Sequence, residues 1–248
     1  MKKFRCHYFF LVMVLTVFIF GMPCPSSAQQ KVPILVYHWI GKYEGIGEKE
    51  LYVTPENFEK QMLFLKKQGY TLLTFEDWNK VNQVKKPIFI TFDDGYKQTK
   101  SVWSVFKKLK SDQFQPKATL FVISDFLDRS NRLNKEDLKL MADSGYFSVQ
   151  SHTATHPDLT KSKDLDYQLG QSKMKIEKVT GKPVIALAYP YGLYNDKVVI
   201  ATKNYYKFGL TTLPKLYVKQ GKPNENYLLP RIYVYYSTTL DQFSQSLQ

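Results

Sequence analysis

The sequence predicts an α/β fold in a single domain, arranged as a (β/α) barrel, and three observations lead to this prediction. The chain has 248 residues, 44% of them hydrophobic, which is enough for one domain with a substantial core. Short apolar runs alternate with helical patterns, as is typical of a parallel sheet covered by helices. Several of these runs are continuously apolar, as expected of strands buried on both faces.

Eight apolar runs of strand length succeed one another along the chain. They cover residues 34–37, 71–74, 88–92, 118–123, 147–150, 184–188, 208–211 and 228–235. Seven or eight strand–helix units within about 220 residues are typical of a (β/α) barrel. An open doubly wound sheet is the alternative, although no G-x-G-x-x-G pattern follows the first strand to indicate dinucleotide binding.

The helices between these strands carry signals at their ends. Thr54 and Pro55 are typical of an N-cap and a first helical residue, and Gly69 marks the end of this helix. Asn134 and Asn195 are predicted to cap two later helices. Two further helical patterns cover residues 99–110 and 163–180.

The first 28 residues have the pattern of a secretory signal peptide. Lys2, Lys3 and Arg5 precede an uncharged apolar run over residues 9–22, and small residues up to Ala28 offer a cleavage site. An uncleaved N-terminal anchor is the alternative. We therefore expect a signal peptide at residues 1–28, a single folded domain at residues 29–248, and secretion, with association with the cell wall as one outcome.

Charge and cysteine content limit the kinds of partner. The formal net charge is +13, and loss of the signal peptide would lower it to +10. The same cleavage would remove Cys6 and Cys24, the two cysteines of the chain, which excludes a disulfide-rich scaffold and a cysteine-based zinc module. Outside the cell, a basic protein meets anionic cell-wall polymer or a membrane surface. We expect no nucleic-acid partner.

Two acidic residues follow the predicted strand at residues 88–92. Asp93 and Asp94 precede Gly95, and a simple turn is one interpretation of this sequence. However, neighbouring carboxylates repel each other unless a cation or a proton lies between them. The carboxyl ends of barrel strands are also where active sites form.

Three histidines lie beyond the predicted signal peptide, and all three follow predicted strands. His152 and His156 come after the strand at residues 147–150, and Pro157 disfavours a helix there, so we place the pair on a strand-end loop. Two surface histidines are the alternative. His38 follows the first strand, where a packed or hydrogen-bonded role is the alternative to catalysis.

Two further features lie near late strand ends. Tyr191 stands in a Tyr-Pro-Tyr-Gly sequence that forms either a rigid turn or a backbone N–H donor to a ligand. Arg231 lies within the last predicted strand, where an ion pair with a structural acid is the alternative. Two imidazoles and one carboxylate leave a coordination position open on zinc or a similar divalent ion. The remaining Asp and His are then a natural base and acid.

The sequences at residues 91–95 and 151–159 resemble the first two motifs of the polysaccharide deacetylases, the NodB-homology enzymes of carbohydrate esterase family 4. Residues 189–192 resemble the third motif. The resemblance implies a distorted (β/α)7 barrel that removes N-acetyl groups from polymers of N-acetylglucosamine or related sugars. A monomer is expected.

The resemblance also implies a role for each residue of the motifs. Asp94, His152 and His156 would bind a divalent metal, with Zn²⁺ expected and Co²⁺ or Ni²⁺ as alternatives. Asp93 would be the base that deprotonates the attacking water. The backbone N–H of Tyr191 would stabilise the tetrahedral oxyanion.

The chain departs from the family pattern at two positions. Ala188 stands where the third motif usually has an arginine that orients the base, and no histidine follows His156 to act as the usual acid. Both departures resemble the branch that deacetylates biofilm poly-β-1,6-N-acetylglucosamine, in which a first-strand histidine is the acid. His38 is therefore expected to be the acid, and Arg231 to replace the missing arginine.

Several functions remain as alternatives to poly-β-1,6-N-acetylglucosamine deacetylation. Within the family these are deacetylation of peptidoglycan and of chitooligosaccharides. Outside it they are a metal phosphohydrolase, because Asp/His sites also serve phosphate esters, and a catalytically inactive polysaccharide-binding protein.

Overall fold

The computed structural model describes residues 29–248, so the predicted signal peptide at residues 1–28 lies outside the described residues. The strands are β1 (Lys31–Val32), β2 (Ile34–Tyr37), β3 (Trp39–Ile40), β4 (Tyr52–Val53), β5 (Thr71–Leu73), β6 (Pro87–Phe92), β7 (Ala118–Val122), β8 (Phe147–Ser151), β9 (Ala186–Ala188), β10 (Phe208–Leu210), β11 (Tyr217–Val218) and β12 (Ile232–Tyr233). The α-helices are α1 (Pro55–Lys67), α2 (Lys100–Leu109), α3 (Lys135–Asp143), α4 (Ser172–Thr180), α5 (Asp196–Lys203) and α6 (Leu240–Gln245). From residue 29 onward, no helix combines the length and hydrophobicity that a membrane span requires.

A parallel sheet curls around the centre of the molecule. Its strands pair in the order β10-β9-β8-β7-β6-β2-β12, and β5 pairs with the first half of β6. A parallel bridge between Leu210 and Leu229 links the β10 edge to the segment that leads into β12. This link joins the two edges of the sheet, so the expected distorted (β/α) barrel is confirmed and the open doubly wound sheet is wrong.

The sheet is buried on both faces because its side chains alternate between two hydrophobic cores. Leu35, Tyr37 and Ile90 belong to the core that includes the apolar faces of the helices. Ile34 and Phe89 belong to a second core that contains no residue of α1–α6 and lies within the curl of the sheet. Burial on both faces explains why the strands are continuously apolar in the sequence.

The predicted helix caps are confirmed. Thr54 Oγ1 accepts a hydrogen bond from the Asn57 amide at 3.2 Å, and Pro55 is the first residue of α1. Asn134 caps α3 in the same way, since its side-chain oxygen accepts a hydrogen bond from the Asp137 amide at 2.7 Å. Asn195 caps α5 by accepting a hydrogen bond from the Val198 amide at 3.0 Å. These caps satisfy amide donors of the first turn that have no partner within the helix.

The helix predicted at residues 163–180 is only partly α-helical in the structure. Its α-helical part is α4, and a wider π turn at Tyr167–Gln171 precedes it. Gly170 lies within this turn, where a Cβ atom would come within 2.8 Å of the Tyr205 ring. The absence of a side chain at Gly170 therefore allows Tyr205 to pack against the turn.

The strand predicted at residues 228–235 is wrong in its extent, since only Ile232–Tyr233 forms a strand. Leu229 pairs with Leu210 of β10, whereas Ile232 pairs with Leu35 of β2, so the segment changes its partner strand midway. Pro230 lies at the change and has no N–H to donate to a sheet. This short segment nevertheless places Arg231 inside the barrel, where the side chain is fully buried.

Candidate active site

The seven residues singled out in the sequence meet at the carboxyl ends of the parallel strands. His38 follows β2, Asp93 and Asp94 follow β6, and His152 follows β8. In parallel strands these ends lie at one face of the barrel. Tyr191 and Arg231 approach the same face from the turn after β9 and from the segment before β12, and His156 completes the group.

Asp94, His152 and His156 form a cluster that fits a metal ion. One ligand atom from each residue lies within 4.8 Å of the other two. Asp94 Oδ1 is 3.6 Å from His152 Nε2 and 3.7 Å from His156 Nε2. One carboxylate and two imidazoles are a donor set for zinc and similar divalent ions.

The orientation of His152 supports the same interpretation. Its Nδ1 lies 2.8 Å from the carbonyl oxygen of Ala188, which leaves Nε2 facing Asp94. A backbone carbonyl on the second ring nitrogen is the usual way in which proteins fix a metal-binding histidine. Ala188, whose position usually carries an arginine in the family, thus contributes through its backbone.

The backbone is left-handed at four residues around this cluster. Asp94, Thr153, His156 and Tyr191 have φ values of 71°, 70°, 61° and 59°. Such values are uncommon for residues other than glycine and concentrate at functional sites. Thr153 Oγ1 accepts a hydrogen bond from the His156 amide at 3.0 Å, so a tight turn within the predicted strand-end loop returns His156 toward His152.

Arg231 holds Asp93 in a bidentate ion pair. Arg231 Nη1 and Nη2 donate to the two carboxylate oxygens of Asp93, each at 2.7 Å. The same guanidinium donates to the carbonyl of Thr211 at 3.0 Å and to Thr91 Oγ1 at 3.3 Å. A planar guanidinium matches two carboxylate oxygens at once, and this fixes the orientation of Asp93. Thr91 belongs to the first sequence motif, where it was assigned no role of its own, and sequence reasoning missed Thr211.

Arg231 also sets the charge of Asp93. Burial by itself would raise the pKa of the Asp93 carboxyl, but the charge and hydrogen bonds of Arg231, together with the charges of His152 and His38, outweigh burial and hold this pKa well below its usual range. Asp93 Oδ2 lies 3.7 Å from His152 Nε2. An ionised carboxylate is therefore fixed directly beside the candidate metal ligands.

His38 lies near the same carboxylates but is held differently. Its ring stacks on the Tyr233 ring, with the centroids 5.7 Å apart and the planes 5° from parallel. Burial lowers the pKa of His38, and the charges of Asp93 and Asp94 partly oppose this effect. Tyr233 gave no signal in the sequence beyond its place in a predicted strand.

Tyr191 is the most exposed aromatic residue of the site, with 61% of its surface accessible. Its ring contacts His156 edge to face, with the centroids 4.7 Å apart. Among the described residues, the Tyr191 amide donates no hydrogen bond within the protein. Gly192 follows it at a point where a Cβ atom would lie 2.1 Å from Thr212 Oγ1.

Tyr96 is a further residue of the site that sequence reasoning missed. It lies two positions after Asp94, and its ring stacks on Trp39 with the centroids 3.7 Å apart. Burial, assisted by the negative charge of Asp94, raises the pKa of Tyr96 to about 12. Tyr96 therefore remains a neutral hydroxyl beside the candidate metal ligands. A lone tyrosine after a turn carries no sequence signal that it lies in an active site.

Comparison with known proteins agrees with this geometry. Residues 80–211 match the family model described as polysaccharide deacetylase. A polysaccharide deacetylase from Bacillus cereus of known crystal structure is 50% identical, with a TM-score of 0.87 over 89% of this chain and 70% of that one.

Two sequence relatives extend the comparison. YxkH of Bacillus subtilis is 32% identical over 74% of this chain, and the match spans 65% of YxkH. The poly-β-1,6-N-acetyl-D-glucosamine N-deacetylase of Staphylococcus epidermidis is 31% identical over 76% of this chain and 71% of that protein.

The family model covers the strand ends that carry Asp93, Asp94, His152 and His156, and it spans more than half of the chain. The family predicted from the three motifs is therefore confirmed, and with it the class of hydrolase that acts on amide bonds. The chain belongs to the polysaccharide deacetylase family.

Proposed function

We propose that this protein is a secreted, zinc-dependent N-deacetylase that releases acetate from a polymer containing N-acetylglucosamine. The observation that carries the proposal is the position of an ionised carboxylate, Asp93, beside the Asp94–His152–His156 cluster. A base next to a metal site is an arrangement that can hydrolyse an unactivated amide, because the metal polarises the carbonyl and the base activates water.

Asp94, His152 and His156 would hold the metal, which when bound lowers the pKa of water and polarises a carbonyl. Asp93 accepts the proton of the water that attacks the acetamide carbonyl, and Arg231 keeps the Asp93 carboxylate oriented for this step. The free backbone N–H of Tyr191 donates to the oxyanion that develops on the former carbonyl oxygen.

Breakdown of the tetrahedral species needs a proton on the departing nitrogen. His38 donates it as the C–N bond breaks, so that acetate and a free amino sugar are released. Asp93 and His38 thus act on opposite halves of the reaction. The water contributes its hydroxyl group to acetate, the amine takes a proton from protonated His38, and return of the Asp93 proton to His38 through solvent restores both groups.

Metal dependence is the first test. Treatment of the purified protein with a chelator is expected to abolish acetate release, and readdition of Zn²⁺, Co²⁺ or Ni²⁺ to restore it. Asp94→Asn is the matched control and should not regain activity with added metal. Full activity of the metal-free protein would contradict the mechanism.

Release of phosphate from a phosphate ester, without acetate release from a glycan, would identify a phosphohydrolase.

The proposed polymer is poly-β-1,6-N-acetylglucosamine. Support comes from the Staphylococcus epidermidis relative that carries this activity in its name, and from the two departures at Ala188 and after His156. Acetate release should be compared across oligomers of β-1,6-linked N-acetylglucosamine, peptidoglycan and chitin oligomers at equal concentrations of N-acetyl groups. A higher kcat/KM on peptidoglycan or chitin would reassign the substrate. Sugar binding without acetate release from any of them would identify an inactive binding protein.

The proposed site of action is outside the cell. The charge pattern of residues 1–28 and the +10 charge that their removal would leave support this proposal. N-terminal sequencing of the protein from culture medium should find a chain that begins after Ala28. Recovery of the complete chain in the membrane fraction would instead indicate an uncleaved anchor.

A further inference from the structure

His38 is held by ring contact rather than by hydrogen bonds. Among the described residues, no hydrogen bond is made by either nitrogen of the His38 ring, whereas His152 is fixed through Nδ1 by the carbonyl of Ala188. A general acid must present one nitrogen to the leaving amine in a defined direction. The structure therefore requires another means of orienting this imidazole.

The Tyr233 ring provides a surface that can orient His38. The two planes are 5° from parallel, and the Tyr235 ring continues the stack on Tyr233, 5.3 Å away and at 4°. Burial raises the pKa of Tyr233 to about 12, so its ring stays neutral beside His38. A face contact restrains the plane of an imidazole while leaving both nitrogens free.

The position of Tyr233 follows from the period of an extended chain. Arg231, Tyr233 and Tyr235 alternate along one segment, so their side chains project to the same side. Tyr233 pairs with Val36 in the sheet, and His38 lies two residues beyond Val36 on the same side of β2. The segment that orients Asp93 through Arg231 thus also places a ring against His38.

We propose that Tyr233 is a positioning residue that orients the His38 ring for proton donation, a proposal that rests on the proposed deacetylase function. Arg231 then orients the base, Asp93, and Tyr233 orients the acid, His38, from a single segment of the chain. Tyr233 acts through its ring face, so its hydroxyl is dispensable for this role.

The first test compares substitutions at Tyr233 with one at a neighbour. Tyr233→Leu is expected to lower kcat for deacetylation about 10- to 100-fold, with KM and zinc affinity near their original values, because misorientation weakens only the transition-state contact. Tyr233→Phe should recover most of the lost turnover. Tyr236→Leu is the matched control, since Tyr236 contacts Lys49 rather than His38, and it should retain normal turnover.

A second measurement separates positioning from general damage. 4-Nitrophenyl acetate has a leaving group that departs without a proton, so Tyr233→Leu should hydrolyse it at nearly the original rate, whereas Asp93→Asn should not. In a His38→Ala background, which itself lowers deacetylation about 10²- to 10⁴-fold, adding Tyr233→Leu should cost less than about twofold more. An equal loss on both substrates, or full additivity with His38→Ala, would overturn the proposal.

A third measurement does not depend on activity. In NMR spectra of the zinc-loaded protein, the His38 ring protons can be assigned by their absence in His38→Ala, because the chain has four histidines. Tyr233→Leu should move these signals downfield through loss of the ring current, and Tyr233→Phe should leave them in place. Unmoved signals in Tyr233→Leu would refute the contact. If the unchanged protein releases no acetate, the proposed function fails, whereas this spectrum still tests the ring contact.

Discussion

Asp93 and Asp94 are neighbours in the chain, yet their surroundings prepare them for different chemistry. Asp93 is 2% exposed and bonded on both oxygens by Arg231. Asp94 has a left-handed backbone, with φ of 71°, which turns its side chain toward His152 and His156. A change of backbone conformation between two identical residues therefore separates the proposed base, Asp93, from the proposed metal ligand, Asp94.

Substitution of each aspartate should separate the two roles. Asp93→Asn is expected to lower turnover by at least about 10²-fold while zinc affinity stays near normal, because the amide cannot accept the proton. Asp94→Asn is expected to weaken zinc binding strongly, because it removes the charged ligand. Zinc titration by calorimetry and acetate release check both results. Loss of zinc affinity in Asp93→Asn alone would contradict the assignment.

Removal of Arg231 should cost stability as well as activity. Arg231→Met leaves the Asp93 carboxylate buried without its partner, and such a loss typically costs about 3–5 kcal/mol. Urea unfolding of the metal-free protein at pH 7 measures this free energy. Lys135→Met is the control, since exposed Lys135 pairs with Asp128 at the surface, and it should leave the free energy of unfolding nearly unchanged.

The same pair predicts how stability changes with pH. The pKa of Asp93 is lowered in the folded state. Its contribution to the free energy of unfolding is therefore complete above the ordinary carboxyl pKa of about 4, and it is lost as the pH falls toward the lowered pKa. The stability difference between the original protein and Arg231→Met should therefore narrow below about pH 4. A difference that stays constant down to pH 2 would contradict the lowered pKa.

At the scale of secondary-structure elements, the turn after β9 is shaped by a glycine. Gly192 has a φ of 70° and lies against Thr212. A Cβ atom at residue 192 would lie 2.1 Å from Thr212 Oγ1 and 2.8 Å from the Thr212 amide nitrogen, which is closer than van der Waals contact allows. The turn can therefore present the Tyr191 amide to the site only while residue 192 lacks a side chain.

A comparison of two glycines tests this close approach. Gly192→Ala should lower turnover at least about tenfold, because the turn must shift and carry the Tyr191 amide with it. Gly181→Ala is the matched control, since Gly181 ends α4 with a φ of 68° but has open space around it. The control should cost about 1 kcal/mol of stability through backbone strain and leave turnover unchanged. Equal kinetic effects would show that strain alone matters.

At the scale of the whole molecule, the candidate metal cluster joins strands that are far apart in sequence. Asp94 follows β6, whereas His152 and His156 follow β8, and β7 lies between them in the sheet. Only the folded barrel brings the three side chains together. A metal bound there therefore stabilises the folded state over the unfolded chain.

Zinc should consequently raise the thermal unfolding midpoint. At a free zinc concentration of about 100 times Kd, the added stability is about 2.7 kcal/mol, which corresponds to about 5–10 °C for a domain of this size. Differential scanning calorimetry with and without a chelator measures the shift. Asp93→Asn should keep the shift and Asp94→Asn should lose it. An equal shift in both variants would place the zinc elsewhere.

Local signals in the sequence were sufficient to predict the strand–helix alternation, the helix caps at Thr54, Asn134 and Asn195, and the family. These features follow from local signals, namely apolar runs, cap residues and short motifs at strand ends, which do not depend on distant contacts. The seven candidate site residues could be chosen for the same reason, because chemistry at a barrel face concentrates in short segments that follow strands.

Tertiary structure alone decided what those residues contact. Arg231 and Asp93 are 138 positions apart, and the bond between them depends on the segment that closes the barrel. The same segment was predicted as a strand of eight residues, because local hydrophobicity cannot show that Leu229 and Ile232 pair with different neighbours. Tyr233 and Tyr96 gave no signal, since an aromatic residue in a buried pattern is indistinguishable from core until its neighbours are known.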